Sequence, residues 1–223
     1  MSTPRRPRPR NLGVVMQIHD PRRAVDPSRF ALLDLGFRPF YLFAGAFAAL
    51  AVPLWALQYA GWLPGANILW HAHEMLFGYA FAVIAGFLLT AVRVWTGRPT
   101  PTGAALAGIV ALWLAARVLA FWSLPAAGVA GLLFAIAVAW GIGQPLLASA
   151  NRRNYFFIVL VLALGAAGFA LQRWPQAALA LGLDVVLIVI AVVAGRVVPA
   201  FTNSALPGAR VVRLDRNYRS TPQ

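Results

Sequence analysis

The sequence predicts an all-α integral membrane protein: a bundle of six transmembrane helices with both termini cytoplasmic. Three observations carry that prediction. Of 223 residues, 61% are hydrophobic and only 11% are charged, where a soluble domain carries about a quarter charged residues. The apolar residues fall in runs of roughly twenty, enough to cross a bilayer core of about 30 Å as helix. The basic residues collect on one side of those runs, as cytoplasmic loops do. A strand barrel would instead alternate polar and apolar residues in segments of about ten.

The spans are expected over residues 39–59, 70–92, 103–122, 126–148, 155–171 and 177–198. Between them lie "GWLPGAN", "RVWTGRPTPTG", "SLP", "NRRN" and "QRWPQ", the Gly, Pro and polar clusters that punctuate helices. With the N-terminus cytoplasmic, that side holds eight arginines up to Arg38, then Arg93, Arg98, Arg152, Arg153 and Arg196, and four more after residue 204. The opposite side holds Arg173 alone, and Arg117 lies inside the third span. Both termini are therefore expected in the cytoplasm and the start of the second span outside, toward the periplasm in a bacterium. Residues 1–29 mix arginine and proline without the apolar stretch of a signal peptide and read as a disordered cytoplasmic arm, with His19 merely solvated in it. Residues 30–203 form the transmembrane domain and 204–223 a basic tail.

All 19 basic residues are arginine, and the net charge is +13. In a soluble protein this would point to nucleic acid; here the lipid bilayer and its cytoplasmic loops account for it, and no nucleic-acid partner is expected. Cysteine is absent, which excludes disulfides, thiolate metal sites and a cysteine nucleophile.

The second span opens as "WHAHEMLFGYAFAVIAGFLLTAV" from Trp70, placing two of three histidines and one of six acids at its outer lip. Ionisable residues at membrane depth are costly and usually functional; the candidates are His71, His73, Glu74, Arg117 and Asp184. On a regular helix His71, Glu74 and Met75 share a face, while His73 points nearly the opposite way. The two imidazoles cannot then clamp one metal from a single regular helix. Either the start of the span is unwound or the histidines have different tasks. Imidazole suits copper, iron and haem, with a carboxylate to orient it and Met75 as a soft donor for Cu(I). The plainer reading leaves both histidines hydrogen-bonded to water in the outer interface. Arg117 and Asp184, in spans three and six, could form a buried pair, or Arg117 could meet a haem propionate or snorkel. Asp184 could equally be interfacial, near the outer end of its span. Trp62, Trp70, Trp122 and Trp174 fit an outer aromatic belt. The small residues of "GAAG" from Gly165 and "AGR" from Ala194 suit close helix packing.

Five strings in order resemble the NnrS family of bacterial membrane proteins: "LGFRPFYLFAGAFAALAVPLW" from Leu35, the second-span string from Trp70, "WTGRPTPTG" from Trp95, "NRRNY" from Asn151 and "GRVVPAFTNSAL" from Gly195. The resemblance implies haem and copper in the membrane and a role in bacterial responses to nitric oxide and nitrosative stress, often in denitrifiers. It implies no established catalytic reaction. His71, His73 and Met75 are then the candidate metal ligands, with Arg117 as a further cofactor contact and Glu74 and Asp184 behind them. Nitric oxide is the expected ligand, reaching the metal through lipid. Family members usually continue for about as long again, with further histidines. A natural short form, a half that forms a homodimer and a truncated product all remain open. Two other classes compete: a transporter or channel subunit using Glu74, Asp184 and Arg117 as a polar path, and an assembly subunit whose basic tails recruit a partner.

Overall fold

A computed structural model describes residues 31–64 and 68–206; the basic arm with His19 and most of the basic tail lie outside the described residues. The described chain is helical throughout, and no strand occurs among the described residues. Its helices are α1 (Phe37–Tyr59), α2 (Ile68–His73), α3 (Phe81–Thr96), α4 (Gly103–Leu119), α5 (Leu124–Ala148), α6 (Phe156–Ala170) and α7 (Pro175–Ala205). A π-helical segment, Glu74–Ala80, joins α2 to α3 without a break.

Five helical stretches among the described residues are long and apolar enough to cross a membrane: Phe37–Tyr59, Ile68–Thr96, Leu124–Ala148, Arg152–Ala170 and Pro175–Ala205. The protein is multi-pass. The third expected span, Gly103–Leu119, has 17 residues, about 26 Å at 1.5 Å per residue and slightly short of the bilayer core. It ends before Trp122 because Phe121 and Trp122 fold back in a turn, their N–H groups donating to the Val118 and Leu119 carbonyls. The sixth expected span, α7, runs past residue 198 to Ala205 and carries Pro199 inside it.

Local chemistry explains the breaks. Gly97 closes α3 at φ +65°, the left-handed conformation that favours glycine at a helix C-terminus. Ser123 caps α5, its Oγ accepting from the Ala126 N–H at 3.3 Å, with Pro125 in the first turn.

Successive helices alternate in direction. The ends carrying Arg38, Arg93, Arg152 and Arg153 therefore gather at one end of the bundle. There Arg196 donates to Asn154 Oδ1 at 2.6 Å and lies over Trp95. At that same end the hydroxyl of Thr90 accepts from the Phe37 N–H at 3.0 Å and begins α1. The opposite end holds Arg173 and the aromatic residues, with Trp62, Trp122 and Trp174 mostly exposed.

The core lies along α3 and α5, around Phe40, Phe81 and Phe134, whose rings pack edge-on or tilted at 4.8 to 5.6 Å. Small residues bring α5 and α6 together: a side chain on Gly128 would press on the Gly168 carbonyl, and one on Gly165 would strike Ala135. In the "AGR" string the outcome is different, for a side chain on Gly195 would meet nothing within 4 Å.

Candidate functional site

Six residues into the second hydrophobic stretch the helix widens from α to π geometry at Glu74. Such one-turn widenings often mark functional positions, and here two side chains of α4 occupy the widened turn. Trp113 Nε1 donates to the Gly78 carbonyl at 3.0 Å. Arg117, one turn further along α4, lies so close to Gly78 that a β-carbon there would collide with its guanidinium. Glycine is required at 78 for this approach alone.

The guanidinium and the carboxylate then meet. Arg117 Nη1 donates to Glu74 Oε2 at 2.6 Å, and the other oxygen of Glu74 lies 2.7 Å from His73 Nδ1. His73, Glu74 and Arg117 are 2%, 1% and 5% exposed, so this is a charge chain sealed from lipid and water. An ion pair in such surroundings persists only when its lone pairs and protons are satisfied. Glu74 uses both oxygens, and the Arg117 cation also faces the rings of Trp113 and Phe47 at 5.8 and 6.0 Å.

The carboxylate sets the tautomer. With Arg117 already bonded to it, Glu74 can accept the Nδ1–H of His73, and in that tautomer Nε2 keeps its lone pair. Among the described residues nothing hydrogen-bonds His73 Nε2, and the Nε–H of Arg117 is buried without a partner. His73 and Arg117 both line a cavity of about 10 Å³ between the π segment, α5 and α6, with Gly128, Gly131, Gly165 and Gly168 on its far wall. That is the space of about one water molecule, which needs at least two polar partners to be held.

His71 sits elsewhere. Its ring stacks on Trp55 of α1 at 4.0 Å, with Nδ1 buried and unbonded, and it takes no part in the Glu74 chain. A larger cavity of about 560 Å³ opens at the same end of the bundle, lined by Gln58, Trp70, Phe121, Trp122, Ser123 and Gln172 among others. No imidazole, carboxylate or guanidinium lines it. Met75 is half-buried beside Glu74 in sequence.

Two expectations need correction. Arg117 neither snorkels nor meets Asp184; it is buried and paired with Glu74, since the widened turn points the carboxylate at α4. Asp184 does not stand behind the histidines. It is exposed on α7, while Gly182 two residues earlier faces Phe77, so the helix turns the acid outward. Sequence reasoning missed Gly78, Trp113 and Phe47. The i, i+4 spacing of Trp113 and Arg117 was the available signal, because both residues then reach the same turn of a neighbour.

The donor set allows a direct test of cofactor fit. An imidazole whose second nitrogen is fixed by a carboxylate is the usual environment of a metal-ligating histidine. His73 meets that description and His71 does not. No three His, Cys, Asp or Glu side chains converge among the described residues, so a closed copper cage does not fit. One imidazole donor to a single metal ion does fit. The space beside His73 suits a diatomic or water-sized molecule, and a porphyrin there would require α5 and α6 to part at their glycine contacts.

No curated protein and no solved structure gives a match to this chain. The family model described as NnrS protein matches residues 31–221, a range that contains the whole helical bundle and every residue of the buried chain; the protein belongs to the NnrS family.

Proposed function

We propose that the protein is a metal-binding inner-membrane protein of the bacterial response to nitric oxide, with His73 as its ligating residue. The observation that carries this reading is the buried His73–Glu74–Arg117 chain, which holds Nδ1 and leaves Nε2 free beside a cavity of about one water. Family membership supports the nitric oxide role. In this reading the arginine-rich end faces the cytoplasm, all six apolar segments cross the membrane, and the site lies toward the periplasm. Nitric oxide, small and weakly polar, enters through lipid.

Each residue of the chain has a stated task. His73 would offer its Nε2 lone pair to a single metal ion such as copper, with Met75 the nearest soft donor in sequence, or to haem iron if α5 and α6 part to admit the porphyrin. Glu74 fixes the orientation of the ring. Arg117 neutralises Glu74 and keeps the carboxylate from binding the metal in place of the imidazole. The bound metal would supply the electron-rich centre that takes up nitric oxide. His71, stacked on Trp55, contributes outer packing.

The test is a visible spectrum with metal analysis of the purified protein beside His71→Ala, His73→Ala and Glu74→Gln. Expected is a Soret band or stoichiometric copper that His73→Ala abolishes, Glu74→Gln perturbs and His71→Ala retains. Metal-free wild-type protein, or loss confined to His71→Ala, overturns the assignment.

A further inference from the structure

The outward face of α7 carries Asp184, the one exposed acidic side chain among the described residues. The apolar stretch of α7 runs from Trp174 to Arg196, about 33 Å at 1.5 Å per residue, and Asp184 lies about 15 Å along it. It has no hydrogen-bond or ion-pair partner among the described residues. Its exposed neighbours Leu181, Leu187 and Ile188 are apolar. A carboxylate alone in hydrocarbon is costly and normally faces a partner. Arg117, the one buried arginine among the described residues, is sealed in its ion pair with Glu74. α6 carries no charged residue, and α1 carries only Arg38, in its first turn.

Asp184 is also the centre of a seam. Ala177, Asp184 and Ala191 repeat every seven residues, with Ile188 and Gly195 beside them, and all five are exposed. Ala191 and Gly195 have the small-xxx-small spacing that lets helices approach closely in lipid, and Gly195 meets nothing within this chain. A seven-residue repeat is the pattern of a helix pair crossing at a shallow angle.

We infer that α7 is the contact surface of a homodimer, two copies packing through this seam with Asp184 on the twofold axis. Symmetry makes the match, because a residue on such an axis meets itself at its own depth. Polar side chains brought together this way hydrogen-bond across the helix pair, which needs no cation. A second copy is thus the partner whose chemistry the chain itself supplies.

The absence of cysteine makes the test clean. Single-cysteine variants Ile188→Cys and Ala191→Cys, in the full chain and in native membranes, are oxidised with iodine beside Val159→Cys on the exposed face of α6 as control. Expected is a disulfide-linked dimer at least about tenfold more abundant in the two α7 variants than in the control. Asp184→Asn, which keeps a hydrogen-bonding amide, preserves that crosslink, and Asp184→Leu reduces it to the control level. Should a variant fail to insert, subunit counting of fluorescently tagged wild-type protein by single-molecule photobleaching decides: two steps support the dimer. Crosslinking equal to the control, crosslinking indifferent to Asp184→Leu, capture of a different protein at α7, or one-step photobleaching overturns it.

Discussion

Glu74 and Asp184 are both carboxylates set into apolar helices, and the bundle treats them in opposite ways. Glu74 is enclosed, with each oxygen engaged, a guanidinium on one side and an imidazole on the other. Asp184 is exposed and bonded to nothing in its own chain among the described residues. The difference comes from local geometry rather than residue type. A π turn and a glycine bring α4 to within hydrogen-bonding distance of Glu74, whereas α7 spends its inward glycine, Gly182, on Phe77 and leaves Asp184 on the far face. An acid buried with its partners organises one fold; an acid left on the outside asks for another molecule.

The sharpest way to break the comparison is to remove the cation. Arg117→Leu leaves the Glu74 carboxylate buried with the imidazole as its one remaining partner, and breaking a buried pair in this way costs about 3–5 kcal/mol. The expected outcome is a large fall in Tm and in the monodisperse fraction in detergent. Adding Glu74→Gln to Arg117→Leu removes the stranded charge and recovers most of the loss, measured as the non-additivity of a double-mutant cycle. If the single and double variants melt together, the charge chain does not hold the π turn in place.

Next in size is Gly78→Ala. The new methyl strikes the Arg117 guanidinium, so either the ion pair or the helix spacing shifts, at about 1–3 kcal/mol as for other overpacked cores. The metal-dependent absorbance proposed for His73 should change in the same variant, because Glu74 follows Arg117. Trp113→Phe keeps most of the packing and removes one of two hydrogen bonds to the Gly78 carbonyl, which still accepts from the Phe81 N–H. It is expected to cost about 0.5–1.5 kcal/mol, the net worth of one hydrogen bond.

These residues also show how far the sequence could be read. The six apolar segments were legible because lipid demands long uninterrupted runs, and their punctuation by Gly, Pro and Asn is local chemistry. Both acids and Arg117 stood out because charge is so rare here. Which acid Arg117 would choose was not legible, since a regular helix puts Glu74 on the His71 face and the π turn changes that register. Nothing in "EMLFGYA" announces π geometry by itself; it arises from the tertiary contacts of Trp113 and Arg117 with Gly78. The seven-residue spacing around Asp184 was present in the sequence, but its exposure became visible only once Gly182 was seen to face inward.

The smallest expected effect tests the comparison most cleanly, because it repeats one chemical edit in the other region. Gly195→Ala adds the same methyl as Gly78→Ala, at a position where nothing lies within 4 Å. Within a single chain it should stabilise slightly, by no more than about 0.5–1 kcal/mol, since glycine is the poorer helix residue. Thermal unfolding of detergent-isolated monomer should therefore show opposite signs for the two glycines. In membranes the methyl sits in the α7 seam, so the Ile188→Cys crosslink should fall even as the monomer gains stability. A loss of monomer stability at Gly195→Ala comparable to that at Gly78→Ala would mean that α7 is packed from within, and that the contrast between the two carboxylates has a different origin.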